Sequence, residues 1–300
     1  MIGAPRPDRE ALGGPWPGIL AALALGLLLA LRSATPADAA PTVEAGRDAY
    51  LRQVARQAEA TFGDLGAQMD AARDAARSGA ALIVAGDAPP RDPLELAADR
   101  LDGAGPAATA ARNAAGRLRG TLAAVRPGQQ GSVPDLPPAA VLASIGGQLR
   151  SAADAADPFL ERRHAAQATL TELAAALAAL EDDDLEAALR ALDRAAQARS
   201  VLATWEQPPN TLGLWLETTA AMLDAARQVA EAAQSGDAAA ARRAADAYAA
   251  AAADARRADV SLGLSLSETG GGLTSTPLRR LADALGALQE ARAVADALGG

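Results

Sequence analysis

The spacing of Glu161 and His164 is the pattern in this chain most suggestive of metal chemistry. On the helices of di-iron carboxylate bundles, a glutamate and a histidine three positions apart reach the same metal ion. His164 is the only histidine, however, and the two arginines between the pair would repel a cation. The apolar seam of this segment passes through Phe159 and Ala166 and leaves Glu161 on the opposite side of the helix. A solvated helix face is the favoured interpretation, and we predict no metal site.

The acidic run from Glu181 to Asp184 could bind calcium, because hard cations take clustered carboxylates. The run lacks the glycine and the ligand spacing of a calcium-binding loop. Acidic side chains before a helix are also favoured by the positive end of the helix dipole. We therefore predict that these residues cap the following helix, from about Leu185 to Trp205.

Trp205 and Trp215 flank a linker at 206–211 whose end, Asn210 or Thr211, is expected to cap the next helix. Exposed indoles can bind a sugar or a peptide. Two large aromatic side chains more often close the end of a helical bundle. We therefore predict that the two tryptophans pack in the core at the end of the bundle, with a ligand site near Trp205 and Trp215 as the alternative.

Four arginine pairs lie on predicted helix surfaces and could meet anionic lipid or a cell-wall polymer. These pairs are Arg162–Arg163, Arg242–Arg243, Arg256–Arg257 and Arg279–Arg280. Acidic residues surround each pair, so ordinary surface ion pairs are the favoured interpretation.

The composition removes several kinds of chemistry. The chain has no cysteine, and all 28 basic residues are arginine, which excludes thiol nucleophiles, Schiff-base lysines and the lysine of a P-loop. With one histidine, the usual nucleophile–base pairs shrink to carboxylates and hydroxyls. We predict no enzyme activity, no catalytic residues and no cofactor, with a carboxylate-based hydrolase as a further alternative. A net charge of −9 argues against nucleic acid as a partner.

The run from Gly18 to Leu31 is apolar and uncharged, and it predicts a targeting segment. As a helix it would span about 21 Å, which is short of the hydrocarbon core of a bilayer. Arginines precede it, and a small-residue cleavage signal at 37–39 follows, as in a secretory signal peptide. Acidic residues near those arginines, and Arg32 after the run, leave an uncleaved membrane anchor or a buried cytosolic helix as alternatives. Residues 1–40 are thus expected to direct 41–300 out of the cytoplasm.

Residues 42–77 predict the first helix of the body of the protein. Its apolar residues alternate in steps of four and three, which is the 3.5-residue repeat of coiled-coil packing. The seam consists of Leu51, Ala55, Ala58, Phe62, Leu65, Met69, Ala72 and Ala76. Gly79 is expected to end this helix, and 85–90 is expected to form a turn-rich connection.

A second helix is predicted from Asp92, with Glu95 completing a capping box. Its seam keeps the same phase through Pro106, so one long helix to about Arg126, kinked at the proline, is expected. With the first helix it should form an antiparallel hairpin over 42–126.

A linker at 127–137 separates the hairpin from two helices over 138–205, which complete a bundle from 41 to 205. The seam of the third helix continues through Pro158, with Arg163 as a poor fit. It consists of Leu142, Ile145, Leu149, Ala152, Ala156, Phe159, Ala166, Leu170, Leu173, Leu177 and Leu180.

Residues 211–300 predict three more helices that pack on the bundle or continue it. A turn at 235–237 separates the first two, and the second ends near Ala258. The alternating apolar residues at 260–266 indicate a short extended piece or an irregular helix end. Gly270–Gly272 predicts a flexible loop, and Thr276 with Pro277 is expected to cap the last helix.

These patterns together predict an all-α, elongated antiparallel bundle of six or seven helices with alanine-rich heptad seams. No segment strongly predicts a β-sheet. The expected function is that of a non-enzymatic, extracytoplasmic structural or protein-interaction module of the cell envelope. It would bind a protein partner, or itself, through helix faces. The alternatives are membrane anchoring through 18–31, a sensory or ligand-binding bundle, and the hydrolase.

Overall fold

A computed structural model describes residues 36–86 and 89–300, with side chains described from Val43 onward. Within these residues there are seven α-helices and no strand, which confirms the all-α bundle. The helices are α1 (Pro36–Ala85), α2 (Arg91–Gly103), α3 (Gly105–Val125), α4 (Ala139–Glu181), α5 (Leu185–Ala203), α6 (Leu212–Ser235) and α7 (Ala238–Gly299). One turn of 3-10 helix, Gln130–Ser132, lies between α3 and α4.

The predicted targeting run at 18–31 lies outside the described residues. Helix α1 begins at Pro36, ahead of the expected start at 42, and the proposed cleavage signal at 37–39 falls in its first turn. Among the described helices, none combines the length and the apolar character that a membrane crossing requires.

Helices α1, α2 and α3 form the predicted antiparallel hairpin. Asp48, near the start of α1, accepts a hydrogen bond from Arg126 at the end of α3, while Gly79 near the end of α1 faces Leu94 in α2. Every predicted seam residue of α1 is buried. The seam of α2 and α3 also keeps its phase across a short break at Ala104, which is itself buried.

The predicted end of the first helix at Gly79 is wrong, because α1 continues to Ala85. A β-carbon at Gly79 would lie 2.6 Å from Cγ of the buried Leu94 and 3.3 Å from the carbonyl oxygen of Pro90. The glycine therefore allows close helix packing and does not end the helix.

The predicted capping box is also wrong. Helix α2 begins at Arg91, and no side chain caps its first turn. Glu95 instead accepts a hydrogen bond from Nε of Arg91 at 2.7 Å. The N–H of Leu94 donates to the carbonyl of Pro90, so a backbone contact begins this helix.

The linker at 127–137 packs against the bundle. Val133 and Leu136 are buried in the same core as the hairpin. A guanidinium nitrogen of Arg119 in α3 donates to the carbonyl oxygens of Val133 and Pro134 and to a carboxylate oxygen of Asp135, at 3.1, 3.2 and 2.7 Å. One arginine therefore fixes the path of the chain into α4.

Helix α4 is continuous over 43 residues with Pro158 inside it, as its seam predicts. Beyond Ala166, however, the expected seam residues Leu170, Leu177 and Leu180 are only half-buried. The fully buried positions are Thr169, Leu173 and Ala176. The buried face turns because the carboxyl-terminal part of α4 packs into a different apolar cluster from the first part.

Two apolar clusters hold the molecule together. The main cluster joins α1, α2, α3, most of α4, the end of α5, the start of α6 and α7 from Ala258 onward. The second cluster joins the last part of α4, the middle of α5, the middle of α6 and the first part of α7. It consists of Leu173, Ala176, Ala191, Leu192, Ala195, Met222, Leu223, Ala226 and Ala255. Tyr248 packs against it, partly buried, and this burial raises the pKa of its phenol above the ordinary value.

Residues 211–300 form two helices, so the prediction of three is wrong. The turn at 235–237 is as expected: Gly236 has a φ of 71°, and Asp237 accepts hydrogen bonds from the N–H groups of Ala239 and Ala240. From there α7 runs for 62 residues without a break. The expected extended piece at 260–266, the loop at 270–272 and the cap at Thr276–Pro277 are all helical.

The buried face of α7 explains this continuity. Ala255, Leu266, Pro277, Leu288 and Gly299 are all buried and lie eleven positions apart. An 11-residue repeat corresponds to 3.67 residues per turn, close to an undistorted helix, so one face stays in contact over a great length. The pattern of α7 therefore differs from the heptad of α1.

Helices α1 and α7 pack antiparallel along most of their common length. Nε of Arg56 donates to the carbonyl oxygen of Gly299 at 3.0 Å, which gives a hydrogen-bond partner to one of the carbonyls in the last turn of α7. At the other end of the contact, Gly270 lies so close to Ile83 that a β-carbon on the glycine would stand 3.1 Å from Cγ2 of Ile83, closer than ordinary van der Waals contact.

Candidate functional site

Arg163 and His164 bind the carboxyl-terminal end of α1. The guanidinium of Arg163 donates to the carbonyl oxygens of Ile83 and Val84, the former at 3.1 Å. Nε2 of His164 lies 2.8 Å from the carbonyl oxygen of Gly86, which requires that nitrogen to carry the proton. The last carbonyls of a helix lack intrahelical partners, so these two side chains cap α1 from a different helix.

Glu161 and His164 are exposed, as the interpretation of a solvated face expects, whereas Arg163 is half-buried against the end of α1. Gly86 adopts a φ of 77° beneath the guanidinium, where a β-carbon would lie 2.9 Å from Cζ of Arg163. In the described part of the chain, no three histidine or acidic side chains are grouped so that they could hold a metal ion.

The acidic run at 181–184 forms the turn between α4 and α5. Asp184 precedes α5, and its carboxylate accepts a hydrogen bond from the N–H of Ala187 at 2.9 Å. This confirms the predicted capping role. Asp183 has a φ of 59°, as befits an aspartate in a tight turn.

The two tryptophans occupy different environments. The Trp215 side chain is completely buried, and its Nε1 donates to a carboxylate oxygen of Asp259 at 3.3 Å. Trp205 lies at the edge of the main core, with its ring 6.4 Å from that of Phe159 in an edge-to-face arrangement. The guanidinium carbon of Arg162 lies 5.1 Å from the Trp205 ring centroid, within the range of a cation–π contact. These contacts favour packing over ligand binding.

Most members of the arginine pairs do not form the expected ion pairs. Among the described residues, Arg257 is the one member in a salt bridge, with Asp254. Arg162 and Arg163 have the contacts given above, and Arg280 donates to the hydroxyl of Ser144 at 3.4 Å. The arginine pairs therefore make several different kinds of contact, and one arginine, Arg163, caps the end of a helix.

Sequence reasoning missed an exposed apolar surface on α6 and α7. Val260 and Leu264 lie one turn apart on α7 and are each 65% exposed, whereas their neighbours Leu262 and Leu266 are buried. Leu214 on α6 is 56% exposed. The signal was present in the alternation at 260–266, since alternating apolar residues in a helix must cover two opposite faces.

Leu214 lines a groove between α6 and α7 that has a volume of about 580 Å³. Arg257, one turn before Val260, lines the same groove, so the groove adjoins the exposed apolar stripe. Glu217 and Asp254 also line it, and Asp254 is paired with Arg257. We call Leu214, Arg257, Val260 and Leu264 together the α6–α7 face.

Comparison of the chain with family models, with curated proteins and with solved structures found no match.

Proposed function

We propose that this protein is a non-enzymatic helical interaction module of the cell envelope and that it binds through the α6–α7 face. The observation that carries the proposal is the exposure of Leu214, Val260 and Leu264 on two adjacent helices. Single exposed apolar side chains are ordinary, but a cluster rimmed by charges is typical of protein contact sites.

Several polar side chains of the bundle form contacts that hold its own elements together, which supports an interaction role for the remaining surface. His164 and Arg163 cap α1, Asp184 caps α5, and Arg119 fixes the linker. These side chains are engaged in holding helices together. The helix faces are then the surfaces left to recognise a partner.

Export of the body of the protein is the second part of the proposal and rests on the run at 18–31. We expect a cleaved chain outside the cytoplasm, or alternatively a chain anchored by that run with 41–300 outside. Cell fractionation combined with amino-terminal sequencing tests this part. A new terminus near Ala40 supports cleavage, and Met1 retained in the membrane fraction supports anchoring. A complete chain in the cytosol refutes export.

Site-specific photo-crosslinking in intact cells tests the interaction part. A photoreactive residue replaces Leu264 in one variant and Leu96 in a control. Leu96 lies on α2 and is 50% exposed, so the two positions are comparable. Covalent adducts to protein are expected at position 264 and not at position 96. Equal labelling at both positions, or none at either, would overturn the proposed surface.

A further inference from the structure

We propose that the α6–α7 face binds a second copy of this chain, with the two α7 helices antiparallel around a two-fold axis near residue 262. This inference rests on the proposed function, because it names the partner of the same surface. The spacing of the exposed residues, their symmetry about one point and the placement of charge support this arrangement.

The outward side of α7 carries its own 3.5-residue repeat. Positions 253, 257, 260, 264, 267 and 271 are separated by alternate steps of four and three, and they hold Ala, Arg, Val, Leu, Ser and Gly. All of them are exposed except Gly271, which is half-buried. Val260 and Leu264 are the two large apolar residues of this repeat, and they lie at its centre, where a partner helix would pack.

The outward repeat is symmetric about residue 262. In an antiparallel pair centred there, Val260 of one copy lies opposite Leu264 of the second copy, and Ala253 lies opposite Gly271. The apolar side chains then meet at the centre, while the small residues at the margins let the helices approach closely.

Charge favours the antiparallel orientation. Arg257, with a side chain that is 79% exposed and paired with Asp254 of its own chain, lies on the same side of α7 as Glu268 but too far along the helix to contact it. Glu268 has no ion pair among the described residues. The two-fold arrangement brings Arg257 of each copy beside Glu268 of the other, whereas a parallel arrangement would bring Arg257 against Arg257.

The size of the stripe indicates a weak, reversible dimer. From 253 to 271 it is about 27 Å long, so even with Leu214 beside it the buried area falls below that of an obligate interface. The expected association is therefore concentration-dependent.

The first test measures the mass of the full chain by sedimentation equilibrium over a concentration range up to about 300 µM. We expect a monomer–dimer equilibrium that Leu264→Glu weakens at least tenfold. Leu96→Glu, the matched control, should leave the equilibrium unchanged, and circular dichroism should show all variants folded. A monomer throughout the range, or equal weakening by both variants, would overturn the inference.

Charge exchange tests the register. Arg257→Glu and Glu268→Arg should each weaken dimerisation several-fold, and the double variant should recover it, because the exchanged charges again meet across the axis. Failure of the double variant to recover would refute the assigned pairing.

Disulfide trapping tests the orientation, since the chain has no native cysteine. A mixture of Val260→Cys and Leu264→Cys chains should form the mixed disulfide in preference to either self-disulfide. Preferential self-disulfides would indicate a parallel pair and overturn the proposal. In the crosslinking experiment above, an adduct of a mass other than twice the chain would support the interaction role while refuting self-association.

Discussion

Gly270 of α7 lies so close to Phe159 of α4 that a β-carbon at Gly270 would stand 3.0 Å from Cε1 and from Cζ of the ring. Cγ2 of Ile83 in α1 would lie 3.1 Å from the same point. The three longest helices therefore meet at one residue without a side chain. Phe159 also contacts Trp205, so the ring has little room to move.

Gly270→Ala is expected to destabilise the protein by about 1–2 kcal/mol, because the ring or the helix must shift. Gly272→Ala is the matched control: nothing lies within 4 Å of its added β-carbon, and replacing an exposed helical glycine should stabilise by about 0.5–1 kcal/mol. Urea denaturation measures both. A destabilising Gly272→Ala would contradict a helix across 270–272.

Gly79→Ala should likewise be destabilising, by about 1–3 kcal/mol, since the new β-carbon would overlap the buried Leu94. Gly63 lies in the same helix with open space around it, and Gly63→Ala should stabilise. The comparison of the two melting temperatures separates packing from helix propensity. Two stabilising substitutions would indicate that α1 and α2 do not approach as described.

Arg163→Met should cost about 1–2 kcal/mol, because it retains the aliphatic stem but leaves the carbonyls of Ile83 and Val84 without this donor. Arg162→Met removes only the cation–π contact with Trp205 and should cost less, about 0.5–1 kcal/mol. Amide exchange should also show faster opening of the last turn of α1 in the first variant alone. Equal exchange in both variants would argue against the cap.

The raised pKa of Tyr248 predicts a loss of stability at high pH. Burial disfavours the phenolate in the folded state, whereas the unfolded chain ionises with the ordinary pKa of 10.0. The contribution of this residue is thus fully present below about pH 10 and declines as the pH rises from there toward the folded-state pKa. Nearby Arg256 opposes the effect without reversing it.

Denaturation of the wild type and of Tyr248→Phe between pH 8 and pH 11 measures this contribution. The stability difference between the two proteins should shift in favour of the phenylalanine variant above pH 10. Tyr50→Phe, at an exposed position, is the control. A difference that stays constant with pH would contradict the burial of the phenol.

The heptad seams of α1, α2 and α3 could be predicted because burial in a helical hairpin depends on spacing along one segment. Leu94 and Leu118 are buried as expected for that reason. The roles of Gly79 and Gly270 could not be predicted in the same way. Whether a glycine ends a helix or lets two helices touch depends on which distant side chain lies opposite, Leu94 in one case and Phe159 in the other.

The contacts of the residues around Glu161 could not be predicted from the sequence either. Their types and spacing suggested either a metal site or a solvated helix face. The partners of Arg163 are instead backbone carbonyls about eighty positions earlier in the chain. Unpaired carbonyls exist at the end of every helix, so no local pattern indicates which arginine will meet them. The apolar residues Val260 and Leu264 could have been found from the sequence, had the segment been treated as helix.

The length of α7 has a mechanical consequence. At 62 residues it is about 93 Å long. It contributes buried residues to both the main cluster and the second cluster, and the helix is not interrupted between them. One unbroken helix therefore joins the two clusters, and bending the molecule between them would require breaking backbone hydrogen bonds of α7. A force applied near Tyr248, beside the second cluster, would therefore be transmitted along this helix to the main cluster.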